Sequence, residues 1–343
     1  MPRLALSDFQ PLPYPILEVR APMEFAHGHV PGALSLPLFT DEERARIGTT
    51  YKQVNPEKAI HLGLEFFGPK MSALVKQAQK LVPGREVRLH CARGGMRSGA
   101  VQWLLELAGF RVHLLEGGYK DYRRAVLAAF ETPRSWRVLG GLTGSGKTDV
   151  LHQLAAAPHV QPVLDLEGLA HHKGSAFGAI GQPAQPTQEQ FENNLAAALA
   201  ALPADAPVWV EDESRQVGRV MVPLALFGQL RAAPRWVLEA PRVARVAKLA
   251  AEYGAEDPAE LTAAIERLRK RLGGLATQQA LAAVAASDFA LMVERVLDYY
   301  DKTYTYGLVP QPGDGPQTPV PVAGCNPAAN AAVLLRAVAA VAV

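Results

Sequence analysis

The chain has 343 residues, a net charge of +2 at pH 7 and 49% apolar residues, so it is long enough for two domains. No apolar run approaches the roughly 20 residues of a membrane span, and no signal peptide is visible, so we expect a cytoplasmic protein without a membrane partner. The net charge by itself does not demand nucleic acid, and Cys91 and Cys325 are expected to be reduced because their contexts differ.

The first predicted domain covers residues 1–132. A buried strand is predicted over residues 16–20, an amphipathic helix over residues 72–81 and a second strand over residues 87–90. Between Leu38 and Phe67 we expect helical arms that lie over the loop after the second strand. His29 lies in a turn rich in glycine and proline, where a structural hydrogen bond is expected rather than catalysis.

Cys91 follows the second strand and opens a glycine-rich loop that leads into a helix over residues 99–107. This order predicts that backbone N–H groups and a helix N-terminus surround the sulfur and favour the thiolate. Arg93 and Arg97 in the same loop are expected to add positive charge. The alternative is a buried, unreactive cysteine. We therefore predict a catalytic loop that consists of Cys91, Arg93 and Arg97.

A complete phosphate-binding pattern lies between an apolar run at residues 136–139 and a predicted helix over residues 147–157. Its backbone N–H groups would face phosphate oxygens, its lysine would reach the outer phosphate, and its threonine would bind Mg²⁺. The predicted phosphate-binding residues are Gly141, Gly144, Ser145, Gly146, Lys147 and Thr148.

The second predicted domain covers residues 133–310, where strands over residues 163–167, 208–212 and 235–239 alternate with helices. This alternation predicts a parallel, doubly wound sheet that holds its ligand at the carboxyl ends of the strands. Asp212 is the first choice for an acidic ligand of Mg²⁺, and Asp165 is the second. The alternative is that these acids are solvated at the strand ends. The adjacent histidines at positions 171 and 172 do not suffice for a transition-metal site, and none is predicted.

Basic side chains of this domain are candidates for a lid over phosphates or a track for RNA, although solvated helix faces would give the same pattern. The aromatic run over residues 299–306 suits base stacking or helix packing. From residue 311 to 343 we expect a weakly packed tail or a docked helix. The basic candidates are Lys173, Arg215, Arg219, Arg242, Arg245, Arg267, Lys270 and Arg271.

The first domain resembles the rhodanese (sulfurtransferase) family. The resemblance lies in residues 18–20, 24–25, 28–33, the loop over residues 91–98 and the turn over residues 115–119. Ordinary members have Asp where this chain has Glu18, a conservative change. The resemblance implies a rhodanese-like fold.

Residues 1 to about 306 together resemble the tRNA 2-selenouridine synthase family. To the two loops this adds matches at residues 164–167, 174–178, 211–218, 270–274 and 299–302. The resemblance implies S-geranylation of wobble 2-thiouridine in tRNA from geranyl diphosphate, and then replacement of S-geranyl with selenium from selenophosphate. The co-substrates would be selenophosphate and geranyl diphosphate, with Mg²⁺ at the phosphate loop. On this basis the enzyme is a transferase, and Cys91 either carries a perselenide or holds selenophosphate.

Two alternatives stay open at the level of the sequence. One is a phosphate-loop ATPase or kinase with a regulatory rhodanese module, which would hydrolyse ATP without RNA. The other is an RNA-binding scaffold, whose affinity for tRNA would survive the loss of both Cys91 and Lys147. The tRNA species, the oligomeric state and the host's supply of selenium do not follow from the sequence.

Overall fold

The computed structural model describes residues 3–156, 158–307 and 312–341. The chain divides into two compact units, one formed by Met1–Ala129 with Glu192–Asn194 and the other by Phe130–Phe191 with Leu195–Val343. Residue 310, where we expected a second boundary, and Ala157, the expected end of a helix, lie outside the described residues. Both units contain a parallel sheet, so the predicted α/β class is confirmed.

In the described part of the first unit, five parallel strands form a sheet in the order β1-β5-β4-β2-β3. The strands are β1 (Arg3–Leu4), β2 (Ile16–Glu18), β3 (Ala33–Ser35), β4 (Glu86–His90) and β5 (Arg111–Leu115). The helices are α1 (Leu6–Phe9), α2 (Pro22–His27), α3 (Asp41–Gln53), α4 (Pro56–Phe67), α5 (Met71–Leu81), α6 (Met96–Leu107) and α7 (Gly118–Ala129), with a 3-10 turn at Gly68–Lys70.

The predicted helical insertion forms α3 and α4. Thr40 begins α3 through a reciprocal capping box with Glu43, and Asn55 caps α4 by accepting from the backbone N–H of Lys58. Both helices pack on the core of the unit, to which α4 contributes the buried Phe67. The polar contacts of α3 reach α2, where Arg44 lies 3.4 Å from Glu24. That the insertion covers the cysteine loop stays a prediction.

The second unit has its own sheet, in which the described parallel strands follow the order β12-β11-β6-β8-β7, and a short antiparallel pair of β9 and β10. The strands are β6 (Trp136–Gly141), β7 (Val163–Leu164), β8 (Val208–Glu211), β9 (Gln216–Val217), β10 (Val220–Met221), β11 (Arg235–Glu239) and β12 (Gln317–Pro321). The helices are α8 (Lys147–Ala155), α9 (Leu166–Ala170), α10 (Gln188–Ala201), α11 (Leu224–Ala232), α12 (Arg242–Tyr253), α13 (Pro258–Leu272), α14 (Gly274–Ala285), α15 (Phe289–Gly307) and α16 (Pro327–Val341).

The strand β6 lies in the middle of this sheet, so the loop after it emerges between the ends of β8 and β11. Helices α12 to α15 form a separate apolar core, in which α13 buries Leu261, Ile265 and Leu268. None of the described helices is long and apolar enough to cross a bilayer.

Of the two alternatives for residues 311–343, the docked helix is confirmed and the weakly packed tail is wrong, and a strand that was not predicted precedes the helix. β12 pairs with β11 in parallel register, from Arg235 opposite Gln317 to Glu239 opposite Pro321. The helix α16 then packs on the sheet core, where Leu334 is fully buried. The prolines of β12 hid this strand from the sequence pattern, because proline disrupts sheets except at an edge, and β12 is the edge strand.

Candidate functional site

The sulfur of Cys91 lies in a cradle of hydrogen-bond donors at the end of β4, where only 3% of the residue is exposed. The Ser98 hydroxyl donates to Sγ over 3.1 Å, and backbone N–H groups of Arg93, Gly95 and Ser98 also point at the sulfur. Burial raises the pKa of the thiol, but these donors outweigh burial and the net effect lowers the pKa. The predicted ring of N–H groups is therefore present and favours the thiolate.

Two glycines hold the loop around the sulfur in place. Gly94 and Gly118 both have positive φ, at 60° and 62°. A Cβ on Gly94 would lie 2.7 Å from the carbonyl oxygen of Leu115, and one on Gly118 would lie 2.4 Å from that of Cys91. The backbone N–H of Tyr119 donates to the same Cys91 carbonyl over 2.9 Å. The turn over residues 115–119 therefore holds the cysteine loop in place. Only glycine fits at positions 94 and 118.

The two predicted arginines do not supply the contacts at the sulfur. Arg97 donates to Glu24 over 2.8 Å, and Arg93 has an exposed side chain, so its contribution to the cradle comes through its backbone N–H. In the described residues the side-chain hydrogen bond to the sulfur comes from Ser98, which sequence reasoning missed as a functional residue. Its signal was a hydroxyl in the first turn of the helix after the loop. Both guanidinium groups remain candidates for binding an anion brought to the thiol.

A buried polar network supports the end of β4 behind Cys91. Arg20 donates to Glu18 and lies over the ring of Tyr119, 3.6 Å from its centroid. His90 Nε2 is 3.6 Å from Glu18 Oε2. Burial raises the pKa of Glu18 to about 7 and lowers that of His90 to about 3. The glutamate that replaces the usual aspartate thus pairs with Arg20.

His29 lies in the expected structural position. Its Nδ1 hydrogen-bonds with the backbone oxygen of Phe25 over 3.0 Å, and its ring stacks on that of Phe25 at 4.0 Å. These contacts fix the turn after α2 and support the structural interpretation of this histidine.

The predicted phosphate loop joins β6 to α8 with the backbone that the motif needs. Gly144 and Gly146 have φ of +80° and +81°, and a Cβ on Gly144 would lie 2.7 Å from Leu249 Cδ1. Lys147 Nζ donates to the carbonyl oxygen of Gly141 over 3.0 Å, and Ser145 is fully buried beneath the loop. The loop therefore has the geometry of an anion site at a helix N-terminus, although its ligand stays a prediction.

The acidic partner of Thr148 is Glu167, and a role of Asp165 as a ligand for Mg²⁺ stays a prediction. The Thr148 hydroxyl donates to Glu167 Oε2 over 2.8 Å. Asp165 instead begins α9, where Oδ1 accepts from the backbone N–H of Gly168 and Oδ2 lies 2.9 Å from His152 Nε2. Sequence reasoning missed Glu167 because its role depends on the turn that α9 makes after Asp165.

Three consecutive acids end β8, and the structure gives each a different environment. Glu211 is buried and accepts from the backbone N–H of Leu166, which contradicts the alternative of solvated acids. Asp212 Oδ2 lies 3.2 Å from Arg235 Nε, and burial raises the pKa of Asp212. Burial, followed by the charge of Glu167, raises the pKa of Glu213 to about 8.

The oxygens of Thr148, Glu167, Asp212 and Glu213 all line the cavity at the phosphate loop. Mg²⁺ prefers such oxygen ligands and takes its remaining positions from substrate phosphates and water, so these residues fit the predicted ion. The described residues contain no group of three or more His, Cys, Asp or Glu side chains that could hold a metal by themselves. The absence of a transition-metal site stays a prediction.

The cavity has a volume of about 830 Å³ and is lined by both charged and apolar residues. The charged part of the lining includes the loop lysine, the acids and three of the predicted basic residues, namely Lys173, Arg215 and Arg271. Lys248, which no motif marks, joins them and forms ion pairs with Asp149 and Glu252. Apolar and aromatic side chains also line it, among them Phe177, Ile180 and Leu249. The cavity therefore suits a ligand with an anionic head and an apolar body.

Arg242 and Arg245 both form ion pairs with acidic residues of α15. Arg245 is only 3% exposed and donates to both carboxylate oxygens of Asp301 over 2.9 and 2.8 Å. It also donates to the backbone oxygen of Thr143 over 3.0 Å. Arg242 forms ion pairs with Asp298 and Asp301. Arg245 therefore holds the phosphate loop against α15, and a lid role for Arg242 and Arg245 stays a prediction.

The remaining basic candidates lie outside the lining of the cavity. Arg219 and Lys270 are exposed, and Arg267 donates to the backbone oxygen of Ala176 over 3.2 Å. Their role in binding RNA stays a prediction.

The packing alternative holds for the first part of the aromatic run. Tyr300 accepts a hydrogen bond from the backbone N–H of Ala176 over 2.8 Å, and Tyr299 packs with it against the helical core. The side chains of Tyr304 and Tyr306 lie outside the described residues. Base stacking by those two tyrosines stays a prediction.

Comparison with known proteins agrees with this division of the chain. A family model described as a rhodanese-like domain matches residues 4–125, and one described as the tRNA 2-selenouridine synthase AAA domain matches residues 134–312. A tRNA 2-selenouridine synthase of Marinobacter nauticus is 38% identical, over 88% of this chain and 90% of that protein. Those of Aeromonas salmonicida and Shewanella sediminis are 36% and 34% identical, over 86% and 90% of this chain and 87% and 91% of theirs. The resemblance is confirmed, and the chain belongs to the tRNA 2-selenouridine synthase family.

Proposed function

We propose that this protein converts wobble 2-thiouridine in tRNA to 2-selenouridine in two transferase steps. The first step attaches a geranyl group from geranyl diphosphate to the sulfur, and the second replaces S-geranyl with selenium from selenophosphate. The relatives' shared name, tRNA 2-selenouridine synthase, supports tRNA as the substrate and selenouridine as the product. The observation that carries the two steps is that one chain holds a thiol of lowered pKa and a phosphate loop on a partly apolar cavity.

In the first step the thiocarbonyl sulfur of the uridine attacks C1 of the geranyl group. The carbon–oxygen bond to the diphosphate breaks, and the uridine loses its N3 proton. The backbone N–H groups of the loop and Lys147 would bind the leaving diphosphate, whose charge grows as the bond breaks. Mg²⁺ held by Thr148 and Glu167 would supply further charge neutralisation. No phosphoryl transfer is needed, so the motif does not require an ATPase.

In the second step the selenium of selenophosphate attacks C2 of the S-geranyl uridine, the bond from C2 to sulfur breaks, and geranyl thiol leaves. Water then cleaves the phosphorus–selenium bond, so that phosphate is released and N3 of the uridine regains its proton. The donor cradle around Cys91 suits an anionic chalcogen, because the Ser98 hydroxyl and the backbone N–H groups stabilise negative charge there. Two forms fit this cradle. In one, selenophosphate is held against the thiol, with Arg93 available to its phosphate, and this form balances with the named co-substrates. In the other, selenium is carried on Cys91 as a perselenide, which would need a two-electron oxidant besides selenophosphate, because the selenium of selenophosphate is at the selenide level.

The test incubates the full chain with tRNA containing 2-thiouridine, geranyl diphosphate and selenophosphate, and follows the nucleosides by mass spectrometry. Cys91→Ser should stop selenium insertion and spare geranylation, whereas Lys147→Ala should chiefly weaken geranylation. Selenium insertion that continues in Cys91→Ser would show that the assigned role of the cysteine is wrong. Steady ATP hydrolysis without RNA, with no modified nucleoside, would instead favour the ATPase alternative.

A further inference from the structure

The cavity at the phosphate loop has an apolar wall that the proposed chemistry at the loop does not use. Four side chains form it, and we call them the apolar wall: Phe177, Ile180, Leu249 and Tyr253. Phe177, Ile180 and Leu249 are 3%, 5% and 6% exposed, so the wall is part of the packed helical core. The rings of Phe177 and Tyr253 lie 5.2 Å apart. Such a wall is rigid and has a defined depth.

The apolar wall begins directly at the phosphate loop. Leu249 Cδ1 would lie 2.7 Å from a Cβ on Gly144, so loop and wall are in contact without intervening space. Arg245, one turn earlier on α12, donates to the backbone oxygen of Thr143 and fixes this contact. A ligand whose phosphates lie on the loop therefore has its next atoms beside a hydrocarbon surface.

We propose that the apolar wall binds the isoprenoid tail of the diphosphate substrate and sets its length. This inference rests on the proposed function, since it concerns the same site. A cavity of about 830 Å³ lies within the range of roughly 300 to 1,000 Å³ that is usual for sites of small ligands. Because the wall is part of a packed core, a chain that is too long meets Phe177 and Ile180, and one that is too short leaves them uncovered.

The chemistry of the wall favours a hydrocarbon chain over a nucleobase. A purine needs several hydrogen-bond partners along its edge. Three of the four wall side chains present only carbon, namely Phe177, Ile180 and Leu249, and the fourth, Tyr253, offers a single hydroxyl. The nearby hydroxyl of Tyr300 already accepts from the backbone N–H of Ala176. An isoprenoid, in contrast, gains binding free energy from every methylene that it buries.

The experiment compares dimethylallyl, geranyl and farnesyl diphosphates as donors to 2-thiouridine tRNA, with the full chain and two wall variants. The wild type should prefer geranyl over dimethylallyl by about 100-fold in kcat/KM. Phe177→Leu enlarges the cavity at the apolar wall. It should raise kcat/KM for farnesyl diphosphate relative to kcat/KM for geranyl diphosphate about tenfold. Ile180→Phe narrows the cavity and should lower kcat/KM for geranyl diphosphate about tenfold, while the affinity for inorganic diphosphate stays unchanged.

Phe289→Leu is the matched control. Phe289 packs in the same helical core but is not among the residues that line the cavity, so its variant should leave the donor ratios within about twofold of the wild type. Thermal melting of all variants separates loss of folding from a change in preference. If the donor ratios of both wall variants stay within about twofold of the wild type, as in the control, the inference is overturned.

A direct binding measurement separates this inference from the proposed function. Geranyl diphosphate should bind the wild type at least about tenfold more tightly than inorganic diphosphate, even where no transfer occurs. If geranyl is bound but never transferred, the proposed function fails and the wall assignment stands. If ADP binds more tightly than geranyl diphosphate and Phe177→Leu weakens ADP instead, the wall is a nucleobase site and the inference is overturned.

Discussion

The hydroxyl of Ser98, rather than a guanidinium group, should set the acidity of Cys91. The perturbation that tests this is Ser98→Ala, which removes the 3.1 Å hydrogen bond to Sγ and leaves the backbone N–H donors in place. Ser98 is fully buried, so water does not readily replace the lost donor. The expected result is a higher pKa for the thiol and a smaller fraction of thiolate at neutral pH.

The magnitude follows from the kind of hydrogen bond that is lost. A hydrogen bond to a charged group contributes about 1.5–3 kcal/mol, and a shift of one pKa unit corresponds to about 1.4 kcal/mol. Ser98→Ala should therefore raise the pKa of Cys91 by about 1 to 2 units. At pH values below the wild-type pKa of Cys91, the variant should react with iodoacetamide about 10- to 100-fold more slowly than the wild type, because only the thiolate reacts.

The assay measures the alkylation rate against pH in a Cys325→Ser background, so that only Cys91 reacts. Arg97→Gln is the comparison variant, since Arg97 pairs with Glu24 at 2.8 Å and does not donate to the sulfur. Its effect on the pKa should be smaller than that of Ser98→Ala. A larger shift from Arg97→Gln, or none from Ser98→Ala, would refute the assignment.

Three further predictions concern the second unit. The pKa of about 8 keeps Glu213 neutral at pH 7, and deprotonation above pH 8 adds a negative charge to the cavity. The affinity for inorganic diphosphate, measured by calorimetry, should therefore fall as the pH rises through 8 in the wild type but not in Glu213→Gln. Arg245→Met should lower the free energy of unfolding in urea by about 1.5–3 kcal/mol, because it removes the hydrogen bonds from the buried guanidinium group to Asp301 and to the backbone oxygen of Thr143, while Arg242 still pairs with Asp301; a loss under 1 kcal/mol, about that of an exposed pair, would contradict this. Leu334→Ala should lower the free energy of unfolding by about 2–5 kcal/mol, whereas Val341→Ala at an exposed position should lower it little. Equal, small losses in the two variants would show that α16 is a weakly packed tail.

Local patterns in the sequence determined the α/β class, most element positions and both functional loops. The strand predicted over residues 235–239 and the amphipathic helix predicted over residues 72–81 appear almost as expected, because hydrophobic periodicity reflects one buried face of each element. The glycine-rich loops after β4 and β6 were equally readable, since their backbone needs glycine at particular places, such as Gly94 and Gly144. The resemblance to the family followed from the order of these blocks.

Contacts between side chains distant in sequence were decided only by the tertiary structure. The cysteine loop contains two arginines and a serine, and only the packed loop shows that Ser98 reaches the sulfur while Arg97 turns to Glu24. Likewise Glu167 reaches Thr148 because α9 turns back towards the phosphate loop.

The same reason explains the edge strand β12, whose place depends on pairing with β11, about eighty residues earlier in the chain. Its prolines obscured the strand pattern, and pairing between distant segments leaves no local signal in a single sequence. Backbone preferences are local and therefore legible in the sequence. The partner that each charged or hydroxyl side chain finds depends on how separate elements pack, and in this protein that packing decided which residues form the two sites.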